Sequence, residues 1–233
     1  MPTDLVLRPA DERDAQAVAS VHLAARRSAA MPPGTHRDHE VRSWLAARLA
    51  ADEAWVAEVG DEVAGYARLT ETWLDDLYVA PAHAGCGVGS ALLDLAKTRR
   101  PDGFCLWVFE VNHPARGFYA RRGLVELERT DGSANEEQAP DIRMAWPGAE
   151  PLAFYRRLID EVDTQLGDLL SRRAALTRAV QPHKADPDRR DPERERAIAA
   201  ALARRAPALG TDRIQRIVHT IITESLDAAR DPS

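Results

Sequence analysis

The period of the apolar residues changes near residue 150, and no other feature of the sequence constrains the fold as strongly. Up to that point apolar residues come in short alternating runs punctuated by Gly and Pro. Beyond Pro151 they fall at Tyr155, Ile159, Val162, Leu166, Leu169, Leu176 and Val180, a three-and-four spacing held over about thirty residues. That spacing predicts one long amphipathic helix. A segment of about eighty residues has too little chain of its own to cover such a stripe. The stripe is therefore expected to pair with a second copy of the protein.

The stretch WPGAEP around Gly148 is the natural seam and predicts domains at 1–148 and 149–233. Composition changes across it. Residues 1–150 hold 24 acidic and 16 basic side chains and all five tryptophans, whereas residues 151–233 hold 13 acidic and 15 basic side chains and no tryptophan. Neither balance is large enough to imply a nucleic-acid or membrane-surface partner. No window approaches eighteen uninterrupted apolar residues, and the opening MPTDLVLRPADERD is too acidic for a signal peptide. These features predict a soluble, cytoplasmic protein. Its two cysteines, Cys86 and Cys105, are expected to be reduced thiols, forming neither a disulfide framework nor a metal site.

In the first domain, residues 4–8 read as a strand. Asp11 caps a following helix, with Asp14 three positions on, and Ala15, Val18, Val21 and Ala25 share one face of it. A second helix is expected over 38–50. Strand-like runs follow at 54–59, 62–70 and 72–79, the first two joined by Gly60 and Asp61. Then come a helix over 88–99, a strand over 103–111, a helix over 113–121 and strands near 124–130 and 141–146. The domain is therefore α/β.

The segment 77–97, LYVAPAHAGCGVGSALLDLAK, runs from an apolar strand through Gly85, Gly87 and Gly89 into a helix with Ser90 in its first turn. Glycines let a backbone approach a ligand closely, and a helix start carries partial positive charge, so the segment suits a phosphate or pyrophosphate. A tight strand-to-helix turn is the other reading of the same glycines. The segment lacks the βαβ context of a dinucleotide fingerprint and the Lys-Ser/Thr of a P-loop. A second segment, LWVFEVNHPARGFYARRGLVEL (106–127), places Asn112 after a strand and Tyr119 in a short helix before Gly123.

Together the two segments resemble the GNAT acetyltransferase superfamily, and the element order over 1–147 agrees with it. The resemblance implies a mixed, mostly antiparallel sheet with helices, and acetyl-CoA as co-substrate for N-acetylation. It implies cofactor contacts from Val79, Gly85, Gly87, Gly89 and Ser90, with Asn112 on the pantetheine arm. The loop pattern of that superfamily begins with Arg or Gln, where this chain has Ala84. Tyr119 is implied as the general acid for the leaving thiolate, a task a phenol suits because its proton affinity is close to that of a thiol. The candidates for the general base are Glu71, Asp75 and Glu110, with Glu110 favoured. The acetyl acceptor is not legible in the sequence.

In the second domain two cations interrupt the apolar stripe. Arg173 lies seven residues after Leu166, and Lys184 lies four after Val180. A cation on an apolar face calls for an anionic partner or ligand. Lys184 is one of only two lysines in a chain with 29 arginines. Asp191 and Pro192 then open a second helix running to about Ala206, and Thr211 opens a third with Ile214, Ile217, Val218, Ile221 and Ile222 on its inner face.

This layout resembles the all-helical chorismate mutases over 151–230, with their motif falling on Arg156, Ile159, Val162 and Asp163. The resemblance implies an all-α, three-helix domain forming an intertwined homodimer. Arg156, from the partner chain, and Arg173 would clamp the carboxylates of a chorismate-like dianion. Lys184 would bind the ether oxygen, and Asp191, Arg194, Glu195 and Ser225 would complete the pocket. Rearrangement to prephenate needs no nucleophile and no cofactor, only a held conformer and a cation at the ether oxygen. Where the family carries a Gln or Glu four residues after the Ser, this chain has Ala229, and Pro182 precedes Lys184. The sequence thus predicts a bifunctional enzyme. Two alternatives stand beside that: a helical domain acting on isochorismate or aminodeoxychorismate, or an inactive dimerisation or ligand-sensing module.

Overall fold

The computed structural model describes residues 4–185 and 190–230. It divides into two compact units, Met1–Tyr155 and Arg156–Ser233.

Among the described residues the first unit carries seven strands and four α-helices. They are β1 (Leu5–Pro9), α1 (Ala15–Ser28), α2 (Asp38–Ala51), β2 (Glu53–Val59), β3 (Glu62–Leu69), β4 (Leu74–Val79), α3 (Val88–Arg99), β5 (Phe104–Phe109), α4 (His113–Ala120), β6 (Val125–Arg129) and β7 (Asp141–Trp146). The predicted cap forms ahead of α1. Asp11 accepts from the Arg13 N–H at 2.8 Å, and Asp14 accepts from the Asp11 N–H at 2.8 Å, around a 3-10 turn at Glu12–Asp14.

Strands β1-β2-β3-β4 form one antiparallel sheet and β5-β7-β6 a second. Alternation along β2 divides the core in two. Val56 joins Val18, Ala19, Leu45, Leu49 and Tyr66, beneath α1 and α2. Ala57 joins Val88, Leu92, Leu93 and Ala96 of α3, with Phe104, Leu106, Ile142 and Met144. Gly65 permits the close approach of α3, since a Cβ there would stand 2.9 Å from the Tyr78 carbonyl oxygen and 3.0 Å from Val88 Cγ1.

Two irregularities prepare the site. Arg68 pairs with Asp76 and Leu69 with Leu74, so Asp75 is the extra, unpaired residue of a β-bulge. Trp73, just before β4, makes an isolated parallel bridge to Cys105 of β5, where the Cys105 N–H donates to the Thr72 carbonyl at 2.9 Å. Beyond that bridge the two strands are not paired, and a cleft opens between them.

The second unit is helical: α5 (Pro151–Val180), whose first turn belongs to the preceding unit, α6 (Pro192–Arg205) and α7 (Thr211–Arg230). Asp191 caps α6 by accepting from the Glu193 and Arg194 N–H groups at 3.1 and 3.0 Å. Ala199 of α6 packs with Ile214, Val218 and Ile222 of α7. The predicted stripe of α5 lies in the open: Ile159, Val162, Leu166, Leu169, Leu176 and Val180 are all exposed, Leu169 at 61%. Among the described residues, no helix is long and apolar enough to cross a membrane.

Pro182 marks the end of the long helix: α5 stops at Val180, a 3-10 turn occupies Gln181–His183, and Lys184 has extended backbone. Pro182 has no N–H to continue the helical ladder, so the ammonium leaves the face on which the period placed it.

Candidate active site

The loop that heads α3 has the shape its glycines predicted. Gly85 and Gly87 have φ of +76° and +93°, in the left-handed region, and Gly87 is the residue from which α3 starts. The amides of Val88, Gly89 and Ser90 form the first turn of α3, where no intrahelical acceptor exists for them. Val79 ends β4 beside them, its Cγ2 3.4 Å from where a Gly89 Cβ would stand. These residues, singled out from sequence, converge on one helix start.

Asn112 and Tyr119 come together in the cleft between β4 and β5. Asn112 caps α4 by accepting from the Ala115 N–H at 3.2 Å, and both residues line a cavity of about 440 Å³ with Asp75, Leu77, Tyr78 and Leu106. Burial pushes the Tyr119 phenol well above its ordinary range. Asp75 also faces a second cavity of about 1000 Å³, which shares Met31, Tyr78, Phe109 and Glu137 with the first. Partial burial raises the Asp75 carboxyl above its usual range against the pull of Arg68, whose nearest nitrogen is 3.9 Å away.

The other two base candidates line neither cavity. Glu110 accepts from Arg129 Nη1 at 2.8 Å, and Glu71 is exposed on the turn before β4. Sequence reasoning missed the inner wall of the larger cavity. His22 meets the Tyr66 hydroxyl at 2.7 Å, Arg26 pairs with Glu137 at 2.8 Å, and Arg68 pairs with Asp76 and Asp52 at 2.6 and 2.7 Å. Within that wall only the adjacent acids of the run TWLDDLYV signalled such a cluster.

In the second unit Arg173 crosses from α5 to α7, donating to the Ser225 hydroxyl and, at 3.1 Å, to the Ile221 carbonyl. Glu195 is held by both arms of Arg190 at 2.8 and 2.9 Å, and Arg190 also reaches Thr223 and His219. Those hydrogen bonds from Arg190 lower the Glu195 pKa. Arg190, unnoticed in the sequence, is therefore part of this cluster. Arg194 is exposed, and Asp191 serves as the helix cap. Arg156 is exposed on α5 and lies about 25 Å along the helix axis from Arg173 at 1.5 Å per residue, so the two do not meet within one chain. Arg230, next to Ala229, pairs with Asp227 at 3.0 Å.

A glycine-headed helix beside a splayed antiparallel sheet defines an acetyltransferase fold in the first unit, joined to a helical unit with an Arg-rich cluster. Residues 20–124 match the Acetyltransferase (GNAT) family and residues 155–230 match Chorismate mutase type II. The chain belongs to the GNAT acetyltransferase family through its first part and carries a chorismate mutase domain in its second. It is 32% identical to the peptidyl-lysine N-acetyltransferase YiaC of Escherichia coli over 109 residues, covering 46% of this chain and 71% of that protein. It is similar to the structure of a GCN5-related N-acetyltransferase from Rhodopseudomonas palustris, with a TM-score of 0.53 and 26% identity, over 63% of this chain and 98% of the other. A third likeness, of fold, is to the PaiA N-acetyltransferase of Thermoplasma acidophilum in complex with coenzyme A, with a TM-score of 0.50 and 18% identity over 61% and 98% of the two chains. The chain is thus an enzyme with an acyltransferase domain and an isomerase domain.

Proposed function

We propose that residues 1–148 transfer an acetyl group from acetyl-CoA to a primary amine, and that residues 149–233 convert chorismate to prephenate, in one cytoplasmic homodimer. The observation that carries the first activity is the meeting of Asp75, Asn112 and Tyr119 in one cleft, with Asp75 open also to the larger cavity. The GNAT match, and the coenzyme A bound to PaiA, support acetyl-CoA as the donor. The thioester supplies an acyl group activated toward amines. The first-turn amides of α3 hold the pyrophosphate, and Asn112 holds the pantetheine arm. The larger cavity admits the amine, and Asp75, rather than Glu110, takes its proton. Tyr119 returns a proton to the departing thiolate.

For the second activity, Arg173 and Ser225 form the fixed wall of the pocket, with Glu195 beside Arg190. Arg156 lies too far along α5 to reach that wall in its own chain, so it serves the partner's site, and the uncovered stripe of α5 supports such a dimer. Arginine forks suit the two carboxylates of chorismate, and Lys184 supplies positive charge at the breaking ether bond. A second reading, a ligand-sensing module, is favoured by Ala229, which cannot donate to the ether oxygen, and by Arg230, which is turned to Asp227.

Two assays on the full chain test these readings. Coenzyme A release that depends on an added amine, and prephenate formation abolished by Arg173→Ala, are the expected results. Absence of acetyl-CoA binding overturns the first. Chorismate bound without turnover replaces the mutase with the sensor.

A further inference from the structure

We propose that Arg122 supplies the pyrophosphate-binding cation that the glycine loop itself lacks, an inference resting on the acetyl-CoA reading above. The loop 81–90, PAHAGCGVGS, contains no Lys or Arg. Its one basic residue, His83, stands 3.9 Å from Glu62. Ala84 offers no donor beyond its own amide. Backbone amides and a helix start bring partial charge only, whereas a pyrophosphate carries full negative charges.

Arg122 reaches the loop from the turn between α4 and β6. Its carbonyl accepts from Lys97 Nζ at 2.7 Å, and its N–H donates to the Tyr119 carbonyl at 3.0 Å, which fixes the backbone. Its guanidinium lies over the Phe118 ring, 4.2 Å from the centroid, and one nitrogen donates to the Ser90 hydroxyl in the first turn of α3. The same Phe118 ring comes within 3.6 Å of a Cβ position at Gly89. Nearby Arg116 and Arg129 are taken up by Glu126 and Glu110, whereas among the described residues Arg122 has no carboxylate partner. A guanidinium has five N–H donors, so the bond to Ser90 leaves most of the fork for an anion, and a fork matches phosphate oxygens in pairs. The stacking on Phe118 holds that fork in place before any ligand arrives.

Calorimetric titration of the full chain tests this with three probes: acetyl-CoA, acetyl-dephospho-CoA, which keeps the pyrophosphate, and S-acetylpantetheine, which has no phosphate. Arg122→Ala and the polar but uncharged Arg122→Gln are expected to weaken both CoA forms about 10- to 100-fold while leaving S-acetylpantetheine unchanged. Adding Ala84→Arg to Arg122→Gln is expected to restore part of the loss. Equal weakening of all three probes, unchanged affinity for the CoA forms, or a loss confined to acetyl-CoA overturns the proposal. If the unaltered chain binds no acetyl-CoA, the acetyltransferase reading falls with it; if the unaltered chain binds and the variants bind equally, only the role of Arg122 falls.

Discussion

Asp75 and Asp76 are neighbours on β4 with opposite surroundings. Asp76 is buried and locked to Arg68 Nε at 2.6 Å, whereas Asp75 stands 3.9 Å from the same guanidinium, unpaired in the sheet and facing two cavities. One bulged residue therefore separates a structural carboxylate from a chemically available one.

Asp75→Asn is expected to lower kcat for acetyl transfer about 10² to 10⁴-fold. It also removes a carboxyl that the fold holds above its ordinary range. Such a group favours the fold while protonated and loses that advantage as pH rises through its folded value, so at neutral pH its charge weighs against the native state. The amide is therefore expected to raise Tm while slowing turnover, and the acid limb of the residual pH–rate profile is expected to vanish. A variant with full activity would sink the assignment.

His22 is buried beside Tyr66, and burial lowers its pKa from 6.5 to about 4. In the unfolded chain the imidazole takes up its proton first, so the stability it contributes is complete above about pH 6.5 and is lost as pH falls toward 4. The loss is expected to reach about 3 kcal/mol. Urea unfolding at pH 7 and pH 4.5 measures it, and His22→Gln should flatten the dependence. An equally steep dependence in the variant would point to other groups.

Ala229→Gln places a donor one helical turn after Ser225, clear of Arg230, which is occupied by Asp227. Restoring one hydrogen bond to the transition state is expected to raise prephenate formation by about 10²-fold. Stopped-time assays on chorismate check this. No gain, with chorismate still bound, would favour a sensing role for the helical unit.

Leu169→Lys puts a charge in the middle of the exposed stripe of α5. Light scattering is expected to show a homodimer for the unaltered chain and a monomer for the variant, since each buried leucine contributes about 2 kcal/mol to such an interface. Mutase activity should fall with the dimer, because Arg156 would no longer reach the partner's site, while acetyl-CoA binding persists. Unchanged mass would remove the stripe from the interface.

Elements whose cause is local were legible early. The strands, the capping pair Asp11 and Asp14, the glycine turn before α3 and the cap at Asp191 each depend on a period or a turn chemistry contained in a few consecutive residues. The stripe of α5 was legible for the same reason, and so was Pro182, although where it left Lys184 was not.

Which acid faces the cleft was another matter. Glu71, Asp75 and Glu110 look alike in a linear sequence, and they were separated by a bulge on β4 and by Arg129, an arginine on a different strand. Arg122 meets Ser90, and Arg190 meets His219, across stretches of chain that no short window spans. Local backbone preferences are written into neighbouring side chains. Burial, and the pairing of charges brought together from distant segments, exist only once the chain has closed on itself, and those are what set the proton affinities on which the chemistry relies.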